Sequence, residues 1–414
     1  MPTSARKSVD VWLALPLILG GFSESETSMD NAIAELEHSD RICQINLYCT
    51  TTSQVETLCT AMQVPFPELA VLFLSFRGLS YRPVFPDSLL DGSAPRLQYL
   101  SLTSISFPGI PKLLLSATQL VCLWLQDIPH SGYISPEAMA TCLSMLTSLE
   151  SFRLGFESPQ SCPDQENRRS PPPTRFILSP LVTFSFKGVN EYLEDLVSRI
   201  DAPRLYQLWT TFFNDIDFDT PELIQFIRRT PTFGTYDNAY LNFHSREALV
   251  MLQPQPMPDH GEIVVSISCQ ASDWQLSSLT QICTFFLPYL LTIENLYIHE
   301  NLYSPPDWKD VVEKADWMDI LLPFIGVKNL YISKQFAPLI APALQDLTGA
   351  RTIEVLPALK NILLEGFQPS EPVQEGIAQF ITARQLTNHH VVISVWDRDL
   401  LSEKVWEADE YFSR

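Results

Sequence analysis

The stretch Leu97-Gln98-Tyr99-Leu100-Ser101-Leu102 decides the fold, because its apolar-x-x-apolar-x-apolar pattern returns along the chain. Within each half of the chain the copies follow at intervals of roughly 23 to 34 residues, a period typical of stacked supersecondary units. The other copies begin at Ile42, Leu69, Leu120, Leu149, Leu181, Ile293, Val327 and Leu359. The chain is therefore predicted to consist of repeated units that pack in a row.

Each copy predicts one short strand. Its last two apolar positions flank a variable residue, so one face of the strand is buried and the other is not. Between strands there is room for a single return segment, usually a helix, which makes successive strands parallel. The leucine-rich repeat has this pattern. We therefore predict an α/β fold, an irregular leucine-rich-repeat solenoid (horseshoe) with a parallel β-sheet on its concave face.

The composition limits the classes of partner. The 414 residues are 46% hydrophobic and 18% charged, which argues against disorder over most of the length. The net charge is −21 and the pI is about 4.7, so phosphate backbones are repelled and no nucleic-acid partner is predicted. The acidity fits either the solubility of an apolar-rich chain or a preference for basic partners.

The eight cysteines form no C-x-x-C pair and show no metal-ligand spacing with histidine. They are predicted to be small buried residues in a reducing compartment. This favours a protein of the cytoplasm, the nucleus or both.

An apolar run from Val11 to Leu19 follows Arg6 and Lys7, as in a signal peptide. Asp10 and Pro16 interrupt the run, so a first strand or cap of the repeat stack is the favoured interpretation. A secreted or surface receptor stays an alternative. Nothing else approaches the ~18 apolar residues of a membrane span, and no membrane partner is predicted.

Three regions are predicted: an N-terminal strand or cap region over residues 1–26, the solenoid over 27–396, and a charged C-terminal tail over 397–414. Inside the solenoid, the proline-rich segment Ser158–Pro173 has almost no apolar side chain and is predicted to be an exposed loop. Limited proteolysis is expected to cut it near Arg168-Arg169.

The repeat pattern weakens over residues 231–268. Degenerate strands are predicted there at Phe233–Tyr236 and Ile263–Ile267, beside the three prolines of Gln253–Asp259. The segment indicates either an irregular stretch of one solenoid or a boundary between two stacks.

Capping signatures predict the return helices. Ser135-Pro136-Glu137 and Thr220-Pro221-Glu222 each combine a hydroxyl cap, a proline at the first helical position and an acid. Ser53 and Glu56 are spaced as a capping box. Helices are predicted at 28–38, from 52 onward, and at 135–146, 191–200, 220–229, 276–290 and 307–322.

No motif predicts catalysis. The sequence has no G-x-G-x-x-G, no phosphate-binding Gly-Lys-Ser/Thr and no H-E-x-x-H. The pair His389-His390, near Asp397-Arg398-Asp399, is better explained as solvent-exposed residues at the start of a strand than as a metal or acid–base site. The alternating Asp215, Asp217 and Asp219 lack the central glycine and distal glutamate of a calcium loop. We predict no enzymatic activity, no metal and no cofactor.

The binding prediction comes from a column of outward positions. The residue between the last two apolar positions of each strand points away from the core, onto the concave face. Large side chains on an exposed rigid sheet are typical anchors for a protein partner. With Tyr99 from the neighbouring column, the predicted partner-binding residues are Phe73, Tyr99, Trp124, Arg153, Trp209, Tyr297 and Tyr331.

The alternative is structural. In that interpretation the rings pack on one another across the strands, or a loop such as 158–173 covers them. The neighbouring outward column is polar and offers hydrogen bonds; it contains Gln207, Asn295, Asn329 and Asn361.

Seven stretches form a specific set of motifs that spans nearly the whole chain. They are VPFPEL (Val64–Leu69), GSAPRL (Gly92–Leu97), LLLSAT (Leu113–Thr118), IPHSGYISPEAM (Ile128–Met139), EYLEDL (Glu191–Leu196), IDAPRL (Ile200–Leu205) and IDFDTP (Ile216–Pro221). As a set they resemble the expanded family of F-box proteins with leucine-rich-repeat-like regions in mushroom-forming fungi. The resemblance implies the repeat fold and a role as substrate receptor of a Skp–cullin–F-box ubiquitin ligase.

In that family a helical F-box with a Leu-Pro-x-Glu-type motif precedes the repeats. Here Met1–Val9 precedes the first apolar strand, and Leu15-Pro16-Leu17 resembles the strand that follows the F-box in relatives. We therefore expect the F-box to be missing, through a truncated gene model or in an F-box-less paralogue. A Skp-type adaptor is a partner only if an F-box lies upstream. The alternative function is an F-box-less scaffold or decoy that binds the same partners.

Overall fold

The computed structural model describes residues 15–22, 26–78, 82–162, 174–213, 220–254, 261–268, 273–301, 314–347, 351–366 and 371–397. The chain divides into two compact units. The described residues of the N-terminal unit run to Phe213 and from Thr220 to Thr232, and those of the C-terminal unit follow from Phe233.

The N-terminal unit contains one parallel sheet of eight strands, in the order β1-β2-β3-β4-β5-β6-β8-β10, and a small parallel pair, β7-β9. The strands are β1 Leu17–Phe22, β2 Ile42–Cys49, β3 Val71–Phe76, β4 Tyr99–Thr103, β5 Cys122–Ile128, β6 Ser151–Phe156, β7 Phe176–Ile177, β8 Thr183–Gly188, β9 Ile200–Asp201 and β10 Gln207–Phe213. The helices are α1 Glu26–Leu36, α2 Thr52–Ala61, α3 Ile110–Ser116, α4 Pro136–Met145, α5 Asn190–Arg199 and α6 Pro221–Arg229. The predicted first strand is present as β1, which pairs with β2 in parallel.

The repeated leucines of this unit form one continuous buried row. Each strand from β3 to β10 in the sheet contributes one side chain, and all of them are fully buried. In register they are Leu72, Leu100, Leu123, Phe152, Phe184 and Leu208. The prediction that successive units place parallel strands side by side in chain order is confirmed for β1 to β6. We call this row the core ladder.

The C-terminal unit has the strand order β13-β12-β11-β14-β15-β16-β17. The strands are β11 Asn238–Phe243, β12 Glu247–Gln253, β13 Glu262–Ser268, β14 Asn295–Glu300, β15 Asn329–Ile332, β16 Asn361–Glu365 and β17 Val392–Trp396. The helices are α7 Asp273–Phe285, α8 Leu287–Leu290, α9 Lys314–Leu321, α10 Ala337–Gln345, α11 Arg351–Glu354 and α12 Glu371–Leu386. From β11 through β14 to β17 the pairing is parallel, as the repeat predicts.

The irregular segment departs from the prediction. Phe233 and Tyr236 are buried, but they lie before β11 and not in a strand. β12 pairs with β11 in antiparallel orientation, and β13 pairs with β12 in the same way. Only three residues separate β11 from β12, whereas a parallel connection needs roughly a dozen or more. A hairpin is therefore the connection that this chain length permits.

The caps of the return helices were predicted in part. Ser135 accepts a hydrogen bond from the Ala138 backbone N–H at the start of α4, as predicted. At α2 the capping box is formed by Thr51 and Gln54, so the prediction of Ser53 and Glu56 was wrong. The helix begins one residue before Ser53, which places that serine inside its first turn.

Some predictions concern residues outside the described part of the chain. These are most of the proline-rich segment (163–173) with Arg168-Arg169, the Asp215, Asp217 and Asp219 group, residues 255–260, the start of the 307–322 helix, and the tail beyond Asp397.

Candidate protein-interaction surface

The predicted outward column is one continuous row in each unit. We call the sheet surface opposite the core ladder the outward face. In the N-terminal unit its central row is, in register, Asn46, Phe73, Ser101, Trp124, Arg153, Ser185 and Trp209. In the C-terminal unit the row is Tyr240, Tyr297, Tyr331, Leu363 and Ser394. Tyr240 was missed because the sequence placed its strand several residues too early.

Four side chains from three adjacent strands form the centre of this surface. The ring of Tyr99 meets that of Trp124 edge-on, with centroids 5.1 Å apart, and the guanidinium carbon of Arg153 lies 4.3 Å from the centroid of the Trp124 ring. The Trp124 indole Nε1–H donates to Ser151 Oγ at 3.1 Å. Tyr99, Trp124 and Ser151 are half-buried, so part of each side chain reaches solvent. We call these four residues the Trp124 cluster.

A second aromatic contact lies nearer the N-terminal edge of the same face. The rings of Tyr48 and Phe73 are 5.0 Å apart, and the Arg77 guanidinium carbon lies 4.9 Å from the centroid of Tyr48. Both rings are half-buried. Phe73 was predicted, whereas Tyr48 was missed because it stands two residues after the central position of its strand.

Three of the predicted side chains are not exposed, contrary to expectation. The relative exposure is 7% for Arg153, 4% for Trp209 and 5% for Tyr297. Arg153 lies against Trp124, and Trp209 belongs to a strand that is buried on both faces. The two aromatic residues therefore contribute to packing, and the structural alternative describes them better.

Stacking explains the burial of Tyr297. Its ring is 4.6 Å from that of Tyr240 and 4.2 Å from that of Tyr331, and in both pairs the ring planes are nearly parallel. Trp396 meets Tyr331 edge-on at 5.6 Å. In-register strands place identical rings above one another, so this row stabilises the sheet through its own contacts.

The asparagine side chains of the polar column beside the tyrosines form hydrogen bonds with one another. Asn295 Nδ2 donates to Asn238 Oδ1 at 2.9 Å, and Asn329 Nδ2 donates to Asn295 Oδ1 at 2.7 Å. Asn361 Nδ2 donates to Asn329 Oδ1 at 2.7 Å. The four amides form an asparagine ladder across β11, β14, β15 and β16.

Three tyrosine hydroxyls of the outward face have raised pKa values and are neutral. Burial raises the pKa of Tyr99 and of Tyr297 above the usual range of tyrosine, and it raises the pKa of Tyr240 to about 12. Burial and the nearby Glu150 carboxylate raise the pKa of the Cys122 thiol, which Arg153 opposes. These groups serve as hydrogen-bond donors and as apolar surface.

The described residues contain no group of three or more His, Cys, Asp or Glu side chains placed to hold a metal ion. His389 is partly exposed, and its Nδ1 lies 2.8 Å from the Thr387 carbonyl oxygen in the turn before β17. Among the helices in the described part of the chain, none has both the length and the apolar content of a membrane span.

The comparisons add little to this geometry. No family model and no curated protein matches the chain. Among solved structures, the leucine-rich repeat-containing protein LegL7 from Legionella pneumophila is similar at 10% identity, over 92% of this chain and 95% of that one, with a TM-score of 0.27. Since that TM-score is low, the assignment of a leucine-rich-repeat-type fold depends on the strand order and register of this chain.

Proposed function

We propose that the chain is a protein-recognition module whose partner binds the outward face of the N-terminal unit. The observation that carries the proposal is the Trp124 cluster, a half-buried indole held between Tyr99 and Arg153 on a parallel sheet. Tryptophan, tyrosine and arginine are the residue types most enriched among energetic anchors of protein interfaces.

The surroundings of Trp124 suit it to this role. Its indole N–H is already bonded to Ser151, and its ring is held from two sides, so the side chain is fixed before a partner arrives. A pre-ordered anchor loses little conformational entropy on binding. Phe73, two strands away in the same row, extends the apolar surface.

The experiment compares two tryptophan variants of the full chain. Trp124→Ala is expected to lose the proteins that co-purify with the wild type, with a loss of about 2 kcal/mol in affinity, roughly thirtyfold. Trp274→Ala, which removes an exposed tryptophan of α7, is the matched control and is expected to keep them. Thermal melts of both variants check that they are folded. Equal retention of partners by both variants would contradict the proposal.

The finer proposal is that this module is the substrate-recognition part of an F-box-type ubiquitin ligase receptor in the cytoplasm or nucleus. It is supported by the motif set from Val64–Leu69 to Ile216–Pro221. The full-length gene product is expected to co-purify with a Skp-type adaptor and a cullin where an F-box lies upstream. Partner binding without adaptor or cullin would instead favour the F-box-less scaffold or decoy.

A further inference from the structure

The outward face of the N-terminal unit differs in charge from the rest of the chain. The protein carries 48 acidic and 27 basic residues. Three outward rows of β2 to β6, β8 and β10 start at Gln44, Asn46 and Tyr48, and the third is interrupted between β5 and β6, where the register shifts. No position of these rows carries Asp or Glu, and Asp127 lies in the interruption. Two of these positions carry a positive charge, Arg153 and Lys187. The positions of the three rows are thus free of acidic residues, on a strongly acidic protein.

Two of the acids that border this area are paired with cations. Asp127, at the irregular end of β5, forms a salt bridge with Lys187 at 3.3 Å, and Glu157, just after β6, forms one with Arg82 at 2.6 Å. A third acid, Glu150, lies next to Ser151 in the chain and raises the pKa of the nearby Cys122 thiol. The salt bridges reduce the negative potential that these carboxylates would otherwise project over the face.

The Trp124 cluster is rich in hydrogen-bond donors. Ser151 Oγ already accepts from Trp124, so its own O–H is directed elsewhere as a donor. The raised pKa of Tyr99 keeps its phenol protonated, and a guanidinium has donors only. A carboxylate, which accepts through two oxygens, is the complementary group.

We propose that the segment bound here is an acidic polypeptide. It places an Asp or Glu carboxylate against Ser151 and Tyr99, in the field of the largely buried Arg153 guanidinium, and an apolar side chain against the Trp124 ring. This inference rests on the proposed function, because it names the partner class of the same surface.

The experiment uses phage-displayed random dodecapeptides, selected on the full wild-type chain and counter-selected on Trp124→Ala. The peptides that require Trp124 are expected to be rich in Asp and Glu, and to bind less tightly as salt is raised. Ser151→Ala and Tyr99→Phe each remove one donor without opening a core cavity, and each is expected to weaken these peptides by about tenfold. Ser144→Ala, on α4, is the control and is expected to leave binding unchanged.

Other results would overturn the inference in distinguishable ways. Trp124-dependent peptides that are neutral or basic would refute the acidic partner and leave the recognition surface intact. A failure to select any Trp124-dependent peptide would count against the surface itself. Binding of a labelled oligouridine to the wild type but not to Trp124→Ala would show that the face takes nucleic acid instead.

Discussion

Leu123 and Trp124 are neighbours in β5 that face opposite sides of the sheet. Leu123 is fully buried in the core ladder between Leu100 and Phe152, whereas Trp124 is half-buried beside Arg153. The two-residue period of a strand thus gives adjacent residues separate tasks, one in stability and one in recognition. Substitutions at the two positions are expected to separate these properties.

The residue-scale prediction concerns Leu123. Leu123→Ala removes a fully buried side chain between two others, so the free energy of unfolding is expected to fall by about 2–5 kcal/mol. Urea denaturation measures the change. Leu115→Ala, on the exposed side of α3, is the control and is expected to stay within about 0.5 kcal/mol of the wild type. Similar effects at both leucines would mean that the core ladder is not the stabilising element.

At the scale of elements, neighbouring repeats are joined by side chains as well as by the sheet. The Glu194 carboxylate of α5 accepts hydrogen bonds from the Glu222 and Leu223 backbone N–H groups, at 2.9 and 2.8 Å, and so caps α6 in the next repeat. Thr220, the predicted cap, makes no side-chain capping bond there. In the C-terminal unit, Arg384 of α12 is fully buried and its Nη2 donates to the Val355 and Leu356 carbonyls at 2.7 Å each.

Features that depend on neighbouring residues in the sequence were predicted better than features that depend on residues far apart in the chain. Ser135 lies within four residues of the backbone N–H that it caps, and the local motif predicted this cap. The Glu194 cap connects residues 28 positions apart, which no local motif encodes. Likewise the central row was predicted strand by strand, but the burial of Trp209 and Tyr297 depends on neighbours that the pattern does not specify.

The element-scale prediction concerns the asparagine ladder. Asn329 both donates to Asn295 and accepts from Asn361, so Asn329→Ala removes two side-chain hydrogen bonds. At about 1 kcal/mol each, the free energy of unfolding is expected to fall by about 2 kcal/mol. Asn361→Ala removes one of these bonds and is expected to cost about half as much. Chemical denaturation of both variants measures the ratio, and equal losses would show that the number of ladder hydrogen bonds does not determine the loss of stability.

At the scale of the whole molecule, the repeat pattern predicted the parallel strands of both units. It did not predict the β11–β12–β13 hairpin, because a three-residue connection carries no apolar signature of its own. The prediction that the cysteines are small buried residues is confirmed for four of the seven described ones: Cys49, Cys59, Cys142 and Cys283 are buried free thiols, whereas Cys43, Cys122 and Cys162 are partly exposed. Since they are distributed over both units, their titration reports on the stability of the whole chain.

The final prediction is a loss of stability at alkaline pH. Burial raises the pKa of Cys49 and Cys142 from an ordinary 9.0 to about 11, and that of Cys59 and Cys283 to about 12. Between pH 9 and these values the unfolded thiols lose protons that the folded ones keep, so the unfolded state binds fewer protons and stability falls as pH rises. Buried tyrosines such as Tyr240 add to the fall above pH 10.

Urea denaturation at a series of pH values from 7.5 to 11 measures the slope. We expect the free energy of unfolding to be nearly constant up to about pH 8.5 and then to decline, since the thiol of an unfolded chain begins to ionise there. Cys59→Ala removes one titrating thiol, and its stability is expected to start lower but to decline less steeply above pH 9. If the variant and the wild type decline in parallel, repulsion among the excess negative charges, and not thiol ionisation, would be the cause of the alkaline unfolding.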